Sequence, residues 1–261
     1  MAHTIYENFV LANEIEDQYN SLLDLAQFCT VDNSLTGVPG MVKKINVYSA
    51  TNGTEKLAMG AGNSKDIEVS YTDEEYRILL AQNRFKYYDE QEMTDPMVVT
   101  TGIRHMAVDM FNTVNADIYA EFLKATLHVP ATAFNFDAFV DAGSLLNVEN
   151  LPGIEKFAFV CADDMGSIRK TLKDEFKYVK EFVTHGYVGT VGDWNLYTKK
   201  DATKGTIVGG TREAVTLFNK RGTEVEQARD EDTRQNTIWS RKYYLAALTD
   251  ATKAVKITLG A

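Results

Sequence analysis

Hydrophobic positions along the chain change period several times, and each change marks an element. From Thr94 to Val129 apolar residues recur at Met97, Ile103, Met106, Met110, Val114, Ile118, Phe122 and Leu127, with Val99, Ala107, Phe111 and Leu123 widening the same side. Such steps are a helical rhythm. Thr94-Asp95-Pro96 offers a capping residue and a proline at the first helical position, where its missing N–H costs nothing. After Gly102 no glycine or proline interrupts until Pro130. About thirty residues at ~1.5 Å each predict a rod of roughly 45 Å. That suits a large core helix and a mechanical spine equally.

Ahead of this rod the rhythm differs. Residues 1–37 read as an arm, with a helical stripe at Leu11, Ile15, Tyr19, Leu22, Leu23, Ala26 and Phe28. Asn13 is placed to cap it, with Glu14, Glu16 and Asp17 in its first turn. The stripe needs a surface to cover it, on a partner or on its own domain. Lys44–Tyr48 and Asp66–Tyr71 alternate polar and apolar residues, as half-buried strands do. Between them lie the turn formers Asn52-Gly53 and Gly60/Gly62, so residues 38–76 predict a long hairpin. An isolated hairpin is marginal in water, so this one is expected to lean on another molecule. Residues 76–93 give a further strand and then a turn through Asp89–Thr94.

After the rod the pattern is mixed. Phe136–Leu146 predicts a short helix with Phe139, Val140 and Leu145 inward, and Phe157–Cys161 a buried strand. Asp163-Asp164 is read as the cap of a helix through Met165, Ile168, Leu172 and Phe176. Gly189–Tyr197 predicts a turn and strand, and Gly209-Gly210 punctuates the entry to Ala214–Phe218. Strands are predicted at Thr223–Gln227, Thr237–Ser240, Tyr243–Leu248 and Lys253–Leu259, with Arg229–Arg234 a loop.

Composition narrows the class. The 261 residues are 44% apolar and 25% charged, an ordinary soluble balance. There is no run of eighteen apolar residues, and the start (Met1 to Glu7) lacks the features of a signal peptide, so the cytoplasm is the expected setting. Cys29 and Cys161 lack CxxC spacing and read as free thiols rather than a disulfide. The net charge of −10, from 37 acidic and 27 basic residues, argues against a broad nucleic-acid-gripping face. It is compatible with enclosing nucleic acid without holding it.

No catalytic constellation emerges. His3, His105, His128 and His185 are scattered, with no HExxH pair. Glycines 186, 189 and 192 do not make a phosphate loop. Asp230-Glu231-Asp232 lacks the glycine and terminal glutamate of a calcium loop. Phe85, Tyr87 and Tyr88, interleaved with Arg84 and Lys86, could stack bases, but acidic surroundings favour packing. The expectation is a protein that is not an enzyme, with no catalytic, cofactor-binding or metal residues and no cofactor.

Four runs carry a resemblance: Thr30–Leu35, Tyr87–Pro96, Phe136–Ala142, and Gly222–Asp230 leading to Ala247–Lys253. With the order arm, hairpin, long helix, α/β body and late strands, they resemble the major capsid proteins of tailed bacteriophages with the Hong Kong 97-type fold. The likeness is to coat proteins of phages of Gram-positive hosts. It implies an α+β fold with an N-terminal arm (1–37) and an extended hairpin, the E-loop (38–76). A peripheral domain (77–130 and 222–238, spine helix 94–129) and an axial domain (131–221 and 239–261) would follow.

The implied function is self-assembly into hexamers and pentamers of an icosahedral head enclosing double-stranded DNA, without sequence-specific binding. Arm residues Ala2–Thr36 and hairpin residues Val42–Tyr71 would then lie over neighbouring subunits. Implied partners are further copies, a separate scaffolding protein, a portal protein and any decoration proteins, with no membrane. The implied location is the virion, after assembly in the host cytoplasm. Some relatives crosslink a hairpin lysine; Lys43, Lys44, Lys56 and Lys65 are present, but no crosslink is expected. Two rivals are an encapsulin-like shell storing enzyme cargo and a metal-dependent hydrolase using Asp163, Asp164 and His185.

Overall fold

The computed structural model describes residues 23–146, 148, 153–174 and 189–260. The stripe from Leu11 to Leu22, together with Phe176, His185 and Gly186, lies outside the described residues.

A single 3₁₀ turn, Leu25–Phe28, leads into β1 (Thr30–Asp32). Next come β2 (Val42–Ala50), β3 (Val69–Arg77) and β4 (Leu79–Tyr88), then α1 (Asp89–Thr94) and α2 (Met97–Leu123). The central body follows as β5 (Leu127–Ala131), α3 (Phe136–Leu145), β6 (Lys156–Val160), α4 (Ala162–Thr171), β7 (Thr190–Val191), β8 (Trp194–Thr198) and β9 (Thr206–Gly210). Two long strands, β10 (Val215–Asp230) and β11 (Gln235–Leu248), and finally β12 (Ala254–Leu259) complete the chain.

These elements form a four-stranded sheet (β1-β10-β11-β4), a six-stranded sheet (β5-β12-β9-β6-β8-β7) and a separate two-stranded ribbon (β2-β3). Helix α2 joins the two larger sheets. Its middle packs Met106 against Tyr87 and Ile238 of the four-stranded sheet. Its C-terminal half buries Val114, Ile118 and Phe122 with Phe157, Phe159 and Val208 of the six-stranded sheet. A second core lies on the far side of that sheet, where α3 and α4 place Phe139, Met165 and Ile168 around Trp194.

Helix α2 is shorter than the 94–129 that the rhythm predicts. Asp89–Thr94 is a helical turn of its own, and Thr94 donates its hydroxyl to the Glu90 carbonyl (2.7 Å) instead of capping α2. The Asp95 carboxylate accepts from Met97 N–H (3.0 Å), with Pro96 at the cap. At the other end, Leu127–Val129 leaves the helix because β5 pairs in parallel with β12. Met97 and Ile103 share the helical rhythm yet remain exposed. Gly102 is required where it stands, because a Cβ there would meet the Phe85 ring at 2.5 Å.

Other expectations are corrected in the same way. In α3 the inward residues are Ala138, Phe139 and Ala142, while Val140 and Leu145 are exposed. Gly209 and Gly210 are the last two residues of β9, strand residues rather than turn residues. Cβ atoms there would meet the Phe157 carbonyl at 2.1 Å and the Lys253 carbonyl at 2.2 Å, so neighbouring backbones approach too closely for a side chain. Strand β10 reaches well beyond the expected Thr223–Gln227 at both ends, taking in Arg229 and Asp230 of the expected loop, and its register shifts between Asn219 and Glu224 around a bulge. Strand β11 likewise runs unbroken through Arg241 and Lys242.

The described part of the arm packs on its own chain. Leu25 and Phe28 enter the core, and β1 pairs with β10 at Thr30↔Thr216. Asn115 of α2 grips the entry: its Nδ2 donates to the Leu23 carbonyl (2.9 Å) and its Oδ1 accepts from Leu25 N–H (3.0 Å).

Candidate assembly surfaces

The β2–β3 ribbon pairs antiparallel from Val42↔Arg77 to Ala50↔Val69. Its root is well anchored. Ile78 is buried and donates its N–H to the Met41 carbonyl (2.8 Å). Tyr76 donates to the Leu248 carbonyl (3.4 Å), and its ring lies 6.3 Å from that of Phe218. Lys43 reaches Ser34 Oγ (3.2 Å) and Asp32 (3.7 Å) and lies 5.8 Å above the Phe218 ring.

Beyond the root, residues 51–68 are held by their own contacts. Thr51 N–H donates to the Glu68 carbonyl (3.0 Å), and Glu68 N–H donates to Thr51 Oγ1 (2.9 Å). Ser64 donates both its N–H (2.8 Å) and its hydroxyl (2.6 Å) to the Glu55 carboxylate, which holds that group below the usual carboxylate range. Gly53 lies against Ile67 with no room for a Cβ, and Gly60 turns the tip at φ 86°. The tip is thus shaped in advance, yet Leu57, Met59, Ile67, Val69 and Tyr71 are all exposed. Ordered apolar side chains facing water at the end of a ribbon are built to meet a surface.

Leu79 and Leu80 stand exposed beside a recess of about 350 Å³ between β4, β11 and α2. Its acidic members are Asp117, which accepts from the Tyr244 hydroxyl (2.6 Å), and Glu121, which pairs with Lys124 (2.6 Å). The exposed run of β10 beyond Phe218 is studded with charge: Arg221 pairs with Glu224 (2.5 Å), Arg241 with Glu226, and Arg229 with Asp89 (2.8 Å). Charged edges of this kind resist indiscriminate strand pairing.

The residues weighed for chemistry do not converge. Asp164, 3% exposed, accepts from Gly205 N–H (2.7 Å), and Asp163 pairs with Lys204 (3.1 Å). Neither caps α4 through its side chain; both tie its first turn to the loop before β9. His185 lies outside the described residues. Asp230 accepts from Asp232 N–H (3.1 Å) and the Thr233 hydroxyl (2.8 Å), shaping the β10–β11 turn and keeping its carboxyl low. Phe85 stacks on Tyr87 at 5.6 Å with Tyr87 buried, which makes them packing residues. His128 bonds Thr258 Oγ1 (2.5 Å) across the β5–β12 pair. Cys29 and Cys161 are both free thiols, Cys29 buried and Cys161 half-buried. Among the described residues no group of three His, Cys, Asp or Glu side chains is placed to hold a metal, and no helix is long and apolar enough to cross a membrane.

Solved structures identify the architecture. The chain superposes on the capsid structure of Cyanophage P-SCSP1u with a TM-score of 0.70 at 10% identity, covering 89% of this chain and 86% of that one. The capsid of a native GTA particle gives 0.69 at 13% identity, covering 91% and 90%. This is the α+β fold of the Hong Kong 97-type phage capsid proteins. Within it, the chain is 26% identical to the major capsid protein of Staphylococcus phage phiMR11 over 258 residues, covering 96% of this chain and 92% of that protein. No family model matches the sequence. Sequence reasoning missed the Leu79/Leu80 recess, since their exposure depends on how β4 lies beside α2.

Proposed function

We propose that this chain is the repeating tile of a phage head, assembling as hexamers and pentamers into an icosahedral shell around double-stranded DNA. The observation that carries the reading is the ribbon, anchored at Tyr76 and Ile78 and shaped at its tip, but with its apolar side chains uncovered. A copy alone cannot bury them; a neighbour can, through contacts that close a ring. The net charge of −10 suits a wall that encloses DNA by mutual repulsion softened by counterions. Scaffolding and portal proteins are the natural further partners of such a tile, the host cytoplasm its place of assembly and the virion its destination. As a structural protein it has no need of a cofactor or a catalytic residue.

Deleting Ser49–Asn63 tests the reading. The shortened chain should keep its far-ultraviolet circular dichroism and fail to close particles in electron micrographs. Closed particles of normal size and stability would overturn it. Micrographs and nucleic-acid analysis of the intact particles separate a DNA-filled head from a shell carrying an enzyme.

A further inference from the structure

Two ribbon side chains fasten it to the body, and their anchor points lie on opposite sides of β10. In the four-stranded sheet β10 runs between β1 and β11. Lys43 and Tyr76 are cross-strand partners, so their side chains leave the same face of the ribbon. Lys43 reaches the end of β1 and the turn after it, with Nζ 3.7 Å from the Asp32 carboxylate and 3.2 Å from Ser34 Oγ. Tyr76 reaches the end of β11, where its hydroxyl donates to the Leu248 carbonyl. Buried Phe218 of β10 lies between them, 5.8 Å from the ammonium and 6.3 Å from the Tyr76 ring. Lys44, one residue on, belongs to the opposite face and pairs with Glu75 inside the ribbon (2.5 Å).

We infer that Lys43 is the positioning residue that aims the ribbon, and that without it the ribbon pivots about Tyr76. The two strands of the ribbon are not held alike. Strand β3 runs into β4 through buried Ile78, so the chain itself fixes that side. Strand β2 is reached from β1 through the loop of residues 33–41, which has to be braced. The bulge of β10 supplies the brace. Asn219 Nδ2 donates to Asn33 Oδ1 (3.1 Å), the Asn219 carbonyl accepts from the Thr36 hydroxyl (3.5 Å), and Lys220 donates to the Val38 carbonyl. Re-aiming side chains is what bulges do. Lys43 then ties the braced loop and the end of β1 to the ribbon through one ammonium.

The pairing contributes direction more than stability. The Lys43 and Asp32 side chains are 27% and 29% exposed, and ion pairs open to water are weak. Two anchors astride a strand nevertheless resist rotation where one does not. A ribbon aimed in advance spares a neighbour the cost of ordering it. That benefit rests on the shell reading, whereas the aiming is a property of the single subunit.

The test uses the unassembled full chain, spin-labelled at Val69→Cys in the outer ribbon and at Lys170→Cys on the exposed side of α4, in a Cys161→Ser background. The native Cys29 thiol is buried and pushed up to about 12, so it stays largely unreactive at neutral pH. Electron–electron distance measurements should give one narrow distribution with Lys43 in place. Lys43→Ala should broaden and displace it, and Lys43→Arg, which keeps charge and reach, should restore it. Lys44→Ala, which removes a charge from the opposite face, should leave it narrow. In Lys43→Ala, amide exchange at Ile78 should rise about fivefold, the worth of a part-exposed ion pair, with none at Val208 in the closed sheet. An unchanged distribution in Lys43→Ala, or equal broadening in Lys44→Ala, would overturn the inference. Should Lys43→Ala lose its far-ultraviolet circular dichroism, Lys220→Ala, which loosens the brace, takes its place, and a narrow distribution there overturns the inference equally. Neither result touches the shell reading, because no particle enters the measurement.

Discussion

In the six-stranded sheet, Phe159, Val160, Ile207 and Val208 lose nearly all contact with solvent, whereas in the β2–β3 ribbon Val42, Val69 and Tyr71 remain 49%, 62% and 63% exposed. The first region is closed by its own chain: α2 covers one face, and α3 and α4 the other. The second has strand pairing and a shaped tip, but its apolar side chains at Val42, Val69 and Tyr71 stay open to solvent. The same residue types stabilise the monomer in one place and are held in reserve in the other. Substitutions should therefore separate two properties that usually fall together, the stability of the subunit and its ability to join others.

The largest effect on the subunit is expected at Trp194. It is buried and donates Nε1–H to the Phe139 carbonyl (2.9 Å). Trp194→Ala should cost about 3–5 kcal/mol in urea unfolding of the unassembled chain. A small loss would mean that the sheet is less closed than its burial indicates.

Next stands Asn115→Ala. It strips two backbone groups, Leu23 C=O and Leu25 N–H, of their partner at a buried site. A loss of about 1–3 kcal/mol is expected, with faster amide exchange at Leu25. An unchanged midpoint would show that the arm's entry is held by other contacts.

Alkali probes the closed region through Cys29. Burial pushes this thiol from 9.0 to about 12. A raised folded value favours the protonated form, so its contribution is intact below pH 9 and is lost as pH climbs toward 12. The cost is about 1.4 kcal/mol by pH 10. Cys29→Ala should flatten this part of the pH profile, and an equally steep profile would exclude the thiol as its source.

The smallest change in subunit stability is expected in the ribbon. Met59→Asp at the exposed tip should move the unfolding free energy by no more than about 0.5 kcal/mol. Particle yield on sedimentation should nevertheless fall sharply. Equal losses of stability and assembly would erase the distinction between the two regions.

Local rhythm made much of this architecture readable. The ribbon, β4, β6, β8 and β12 and the helix after Asn135 all appear where alternation or helical spacing predicts them. Errors fell where a distant segment decides. Val140 and Leu145 fit a helical inner face but point away from Trp194 and its neighbours. Gly209 and Gly210 look like turn residues until β6 on one side and the Lys253 carbonyl on the other are seen to crowd them. Asp163 and Asp164 have the composition of a cap or a cation site, yet their partners, Lys204 and Gly205, lie some forty residues downstream.

What the amino-acid order settled unaided was the inventory: a charged chain, a long helix, an extended ribbon, an α/β body and the phage-coat likeness of four runs. Those features depend on neighbours within a few residues, where backbone period and turn chemistry act directly. Tertiary structure alone decided which apolar faces are covered, where α2 stops, and that the described arm binds its own chain. Burial is a property of surfaces brought together from far apart in the chain, and one-dimensional spacing carries no record of that meeting.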